Sequence, residues 1–169
     1  MARDGWSWRH DAKLVRALAK TRCVWLLFAT LTCARRTSER EGHEAFQVFC
    51  RQAARRIGEH LWVAWGWGLQ PLRDAFHVHA LFGLPLGSSR SLVPADLQRL
   101  WTPEPQIDAY RPELGGVEYI ARHPGTAVNV ACPSSRPCGR KRGCLCAPGP
   151  WPKPAEQIAF TRPGYRRWR

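Results

Sequence analysis

The sequence is short of acid. Against 26 lysines and arginines it carries 13 aspartates and glutamates, for a formal net charge of +13 and a sequence pI near 10.3. Such an imbalance makes a polyanion the default partner, through phosphate neutralisation and counterion release, with nucleic acid ahead of an anionic membrane. Long hydrophobic runs are missing as well. No apolar stretch reaches the roughly 18 residues that a membrane span needs, so no membrane partner is expected. CVWLLFATLTCA, residues 23 to 34, follows a basic leader as the core of a signal peptide would. Its threonines and β-branched residues suit a strand better, and the chain reads as cytoplasmic. There is no GxxxxGK[ST] phosphate loop, which excludes a helicase motor of this kind in the chain itself, and no internal repeat. The seven cysteines are an odd number and cannot all pair within one chain. They point to thiols or metal ligands in a reducing compartment rather than to a disulfide scaffold.

A chain of 169 residues, 44% of them hydrophobic, can bury one core and leave room for a tail. The charge is unevenly spread: residues 126 to 169 hold nine Lys/Arg, one acid and seven of the fourteen prolines, whereas residues 1 to 125 hold seventeen basic and twelve acidic residues. This division predicts a basic N-terminal segment over 1–22, a folded domain over 23–125 ending near Pro124-Gly125, and a basic Cys/Pro-rich tail over 126–169.

Within the domain, CVWLLFATLT is apolar on both faces, as a covered central strand is. Residues 42 to 60 change period, with Phe46, Phe49, Cys50, Ala53 and Ile57 on one helical stripe. LWVAWGWGL (61 to 69) and AFHVHALF (75 to 82) read as two strands of a hairpin across the turn-like QPLRD. PADLQRLW (94 to 101) is a short helix opening on proline, a strand is expected around Gln106 to Asp108, and GGVEYIARHPG forms a helical turn or two between its glycine and proline breaks. This order predicts an α+β fold: a central, mostly antiparallel sheet with helices packed on it.

AFHVHALF puts chemistry on a strand. Alternate side chains share a face, so His77 and His79 lie side by side with Cβ atoms roughly 6.5 to 7 Å apart, near enough for both rings to converge on one ion; the competing reading is two histidines on a solvated face.

FATLTC (28 to 33), HVHALF (77 to 82) and VEYIARH (117 to 123), taken in that order, resemble the three motifs of the HUH endonucleases, specifically the rolling-circle replication initiators of plasmids and single-stranded phages. The likeness spans about 100 residues. It implies a central antiparallel sheet, with His77 and His79 on an inner strand as ligands of Mg²⁺ or Mn²⁺ and Tyr119 on a helix facing them. Tyr119 would be the nucleophile that nicks and rejoins single-stranded or extruded DNA through a 5′-phosphotyrosine. A third metal ligand is implied near the hairpin, and Gln70 is the candidate. Where many relatives carry a lysine three residues after the first tyrosine and one subgroup a second tyrosine at the fourth, this chain has Arg122 and His123. Arg122 can clamp a phosphate but stays charged and cannot serve as an acid, so the pattern is that of a single-tyrosine enzyme. Replication would then need a separate helicase. Two other functions fit the same motifs: a tyrosine-HUH transposase, and a non-catalytic nucleic-acid-binding protein built on a degenerate nuclease domain.

In the tail, Cys132, Cys138, Cys144 and Cys146 follow a C-x5-C-x5-C-x-C spacing. Four thiolates can hold a structural Zn²⁺; the competing reading is a basic tail with thiols. In either case Arg136, Arg140, Lys141 and Arg142 are expected to contact DNA phosphates rather than read bases.

Overall fold

The computed structural model describes residues 18, 21–34, 37–70, 75–103, 105–121, 123, 126–134 and 144–145, without the side chains of 69 and 70. Among these residues five strands form one sheet: β1 (Cys23–Thr32), β2 (Leu61–Gln70), β3 (Ala75–Pro85), β4 (Gln106–Ala109) and β5 (Ala127–Ala131). Their order is β4-β1-β3-β2-β5, with every strand pair antiparallel. The chain is therefore α+β with an antiparallel sheet, and β3, the histidine strand, sits at its centre.

Helix α1 (Glu39–Ile57) covers one face. It starts at a capping box: the Ser38 hydroxyl accepts from the Glu41 N–H at 3.3 Å and the Glu41 carboxylate accepts from the Ser38 N–H at 2.8 Å, an arrangement that contributes about 1 kcal/mol. Gly58, at φ 72°, closes the other end in the left-handed conformation. The stripe of Phe46, Phe49, Cys50, Ala53 and Ile57 is buried, against Trp65, Val63, Val78, Phe82 and Leu84 of the sheet. Phe46 meets Trp65 at 4.9 Å between ring centroids, and Phe49 meets Phe82 at 5.8 Å. Burying a side chain of this size contributes about 1.5–3 kcal/mol, so one aromatic stripe is enough to hold helix to sheet. The short α2 (Pro94–Gln98) adds Leu97 to this core, and Trp101 follows it, donating its indole N–H to the Thr32 carbonyl at 3.0 Å.

Among the described residues, fewer cover the opposite face. A smaller cluster of Ala64, Leu81, Ile120 and Leu18 lies there, with Phe28, Tyr110 and Val117 against it. Ile120 belongs to α3 (Gly116–Ala121), which packs across β2 and β3. Face alternation sends Ala29 and Leu31 of β1 into the main core and leaves Phe28, Thr30 and Thr32, only half-buried, on the α3 side. β1 is thus less fully covered than its apolar composition predicts.

Two boundaries differ from those drawn on composition. The sheet continues past Gly125, because β5 pairs with β2 from Leu61↔Ala131 to Trp65↔Ala127. Asn129 of β5 accepts the buried Trp65 indole N–H at 2.8 Å. Beyond it, the Leu145 N–H donates to the Val130 carbonyl at 2.9 Å, and Leu145 is buried in the main core. The five-residue run AVNVA is diluted by the basic, proline-rich residues that follow it. At the other end Leu18 is buried in the second cluster, so the core reaches at least one residue ahead of Cys23. No helix among the described residues is long and apolar enough to cross a membrane.

Candidate functional site

The site is built on the face that α3 packs against. In the β1–β3 ladder, Thr30 stands opposite His79 and Thr32 opposite His77; in the β2–β3 ladder, Gly66 stands opposite His79 and Gly68 opposite His77. Cross-strand partners share a face. The two histidines therefore have threonines on one side and glycines on the other. Their ring centroids are 4.8 Å apart.

The glycines leave space for a third ring. A Cβ on Gly66 would come within 2.8 Å of the His123 Cβ, and one on Gly68 within 3.2 Å of His77 Cε1 and 3.4 Å of His123 Nδ1. His123 follows α3 directly, its N–H bonded to the Ile120 carbonyl at 3.0 Å, while the Thr126 hydroxyl donates to the His123 carbonyl at 2.9 Å. That backbone places the His123 ring 4.6 Å from His79 in a stacked arrangement and 5.8 Å from His77. One ligand nitrogen from each of His77, His79 and His123 lies within 4.8 Å of the others. The three histidines are close enough to hold a metal ion.

Their protonation favours it. Burial holds His77 below the ordinary imidazole range, partly offset by the Ala75 backbone. Burial, then repulsion from His123 and His77, brings His79 down to about 3. His123 is lowered by burial and then by His77. Neutral imidazoles offer the lone pair that an ion requires. His77 Nδ1 is moreover buried without a hydrogen bond of ordinary geometry, a costly condition that coordination relieves. The donor set, three neutral nitrogens close together, fits a divalent ion.

Tyr119 stands beside this cluster. Its N–H bonds to the Gly115 carbonyl at 2.9 Å, and the next residue, Ile120, anchors α3 to the sheet. The phenol oxygen lies 3.4 Å from His79 Nε2, and its ring meets His79 edge-on at 4.7 Å and Phe28 at 6.2 Å. The residue as a whole remains 43% exposed, so the site is not sealed on the Tyr119 side. On the far side of His79, Nδ1 is 3.0 Å from Thr30 Oγ1. In the tautomer with its proton on Nδ1, Thr30 accepts that proton's hydrogen bond and Nε2 keeps its lone pair on the Tyr119 side.

The motifs FATLTC, HVHALF and VEYIARH thus meet in space, through Thr30, His77, His79 and Tyr119. Gln70 ends β2 opposite Ala75 and its side chain lies outside the described residues, as does the whole of Arg122. Among the described residues it is His123 that joins the histidine pair, a role the sequence does not announce. A signal for it exists in WGWG: the largest and smallest residues alternate, with Trp65 and Trp67 in the core and glycines on the site face. Tyr110 packs against the second cluster, with burial and then Glu118 and Glu113 pushing its phenol pKa up. Of the tail residues, Cys132 and Cys144 are described, with sulfurs 3.4 Å apart. Cys138, Cys146, Arg136, Arg140, Lys141 and Arg142 lie outside the described residues. Comparison with family models, curated proteins and solved structures finds no significant match for this chain.

Proposed function

We propose that this chain is a divalent-metal-dependent endonuclease and strand transferase acting on single-stranded or extruded DNA, of the single-tyrosine HUH kind. The observation that carries the reading is the Tyr119 hydroxyl, 3.4 Å from His79 Nε2 at the edge of a three-histidine cluster. A nucleophile and a set of metal ligands brought together from distant parts of the chain match what phosphodiester cleavage needs.

Tyr119 Oη attacks the phosphorus, the Oη–P bond forms and the P–O3′ bond breaks. The phenolic proton passes to solvent or a nearby base, and the departing 3′ oxygen takes up a proton to become a 3′ hydroxyl. The 5′ phosphate stays on Tyr119. Attack by a 3′ hydroxyl reverses the step and rejoins the strand, with no net consumption of energy. His77, His79 and His123 would hold the ion, and a divalent ion there would supply polarisation of a non-bridging phosphate oxygen. Thr30 fixes the His79 ring, and Phe28 and His79 flank the Tyr119 ring. Three nitrogen donors favour Mn²⁺ over the oxygen-loving Mg²⁺. The excess positive charge supplies sequence-independent affinity for the strand.

The replicative role rests on the motif order that the chain shares with rolling-circle initiators. In that role it acts in the cytoplasm with a separate helicase. A transposase would use the same chemistry. The test is incubation with labelled single-stranded oligonucleotides and Mn²⁺, followed by denaturing gels. A covalent adduct on Tyr119 is expected, with His77→Ala and His79→Ala binding DNA but forming none. Absence of any adduct on single-stranded or hairpin substrates would leave the non-catalytic DNA-binding reading in its place.

A further inference from the structure

β5 is the edge strand beside β2, and an edge strand exposes unpaired N–H and C=O groups. Here a later piece of chain covers it. Cys144 forms a parallel bridge with Val130, the Leu145 N–H donates to the Val130 carbonyl, and the Leu145 side chain, 3% exposed, is part of the main core. The chain that must close back to reach this edge is PSSRPCGRKRG, without one aliphatic or aromatic residue beyond its prolines and with four cations and no acid. Closing such a segment is opposed by chain entropy and by repulsion among its charges. A single hydrogen bond and one leucine are a small return.

The two ends of that segment meet at sulfur. Cys132, immediately after β5, and Cys144 have Sγ atoms 3.4 Å apart. A disulfide would bring them to about 2.05 Å. Two thiolates on one tetrahedral zinc, with Zn–S bonds of about 2.3 Å, stand about 3.8 Å apart, so the observed spacing is nearer that of co-ligands.

We propose that Cys132 and Cys144 are two thiolate ligands of one structural Zn²⁺ that fastens the returning chain onto the β5 edge of the sheet. This site is separate from the histidine cluster and does not depend on the nuclease reading. It also accounts for the burial of Leu145 so far past the last strand.

The experiment uses full-length protein carrying His77→Ala, His79→Ala and His123→Ala, so that the histidine cluster contributes no metal, purified under reducing conditions with zinc present. One zinc per chain is expected by elemental analysis. Replacement by Co²⁺ should give the thiolate charge-transfer absorption of tetrahedral sulfur ligation, and adding Cys132→Ser or Cys144→Ser should abolish both. Where a serine variant fails to fold, titrating the folded histidine variant with a mercurial thiol reagent reads the same point, by releasing its zinc in step with thiol modification. Reduced protein without zinc, zinc retained in the serine variants, zinc retained after complete thiol modification, or a Cys132–Cys144 disulfide in its place would each overturn the proposal.

Discussion

Gly66 and His123 cannot both keep their places if residue 66 gains a side chain: a Cβ there would sit 2.8 Å from the His123 Cβ and 3.0 Å from the Ile120 carbonyl oxygen. Gly66→Ala should therefore push His123 away from His77 and His79. Metal affinity should fall on the order of tenfold or more, as for other disturbances of ligand positioning, with DNA binding little changed. Calorimetric titration of Mn²⁺ checks this, and an unchanged affinity would remove His123 from the ligand set.

Tyr119→Phe deletes one oxygen and leaves the ring packing against Phe28 and His79 in place. The variant should fold, bind single-stranded DNA as the parent does, and form no covalent adduct. Peptide mapping after nuclease digestion locates any residual linkage, and an adduct persisting at wild-type level would move the nucleophile elsewhere.

Thr30→Val keeps the shape of the side chain but removes the oxygen beside His79 Nδ1. Without this orienting partner, metal binding should weaken about 10- to 100-fold while the β1–β3 pairing holds. Mn²⁺ affinity together with an unchanged urea midpoint in the absence of metal would show it; a midpoint that falls while affinity holds would make Thr30 a packing residue.

Acid should destabilise the metal-free protein earlier than carboxylate titration alone would. His43, His77, His79 and His123 all sit below the ordinary imidazole value, burial being the leading cause in each. The unfolded chain takes up protons on them near pH 6.5, the folded chain only further down, at about 3 for His79. Stability is thus complete above about pH 6.5 and is lost as the pH falls through that window toward the folded values. Urea midpoints in chelator at pH 7 and pH 5 should show the drop, reduced in His79→Asn. Equal midpoints would contradict it.

Where the chain is cut should matter in two distinct ways. Ending at Gly125 removes β5 and leaves the Trp65 indole N–H, on a side chain only 1% exposed, without Asn129. Loss of that hydrogen bond alone costs about 0.5–1.5 kcal/mol, and removal of the strand costs more, so this fragment should not fold. Ending after Cys146 deletes five Lys/Arg and Glu156 while keeping the sheet. Circular dichroism should be preserved, and the slope of log K against log salt should shrink by about 0.7 to 0.9 for each phosphate that is no longer neutralised.

Strong local patterns in the sequence were enough to reveal β1, α1 and the β2–β3 hairpin. Each carries a face that only one period explains, and the helical stripe from Phe46 to Ile57 is buried as its spacing predicts. The helix starts at Glu39, ahead of that stripe, because the Ser38–Glu41 cap acts on backbone groups that hydrophobic spacing does not register. β5 could not be read in the same way. Five residues ending in a basic, proline-rich stretch become a strand only because the edge of β2 is there to pair with them. The same holds at the site. His77, His79 and Tyr119 stand out on strand and helix, but His123 enters through the turn after α3 and the clearance above Gly66 and Gly68, both products of long-range packing.

The 3.4 Å between Tyr119 and His79 is a distance within a single polypeptide. On the proposed reading each copy owns a whole centre and borrows nothing from a neighbour. Cleavage rate should then rise in simple proportion to protein concentration. Mixing Tyr119→Phe with His79→Ala, each inactive for a different reason, should restore nothing, whereas an enzyme that assembled its centre across two copies would recover activity in the mixture.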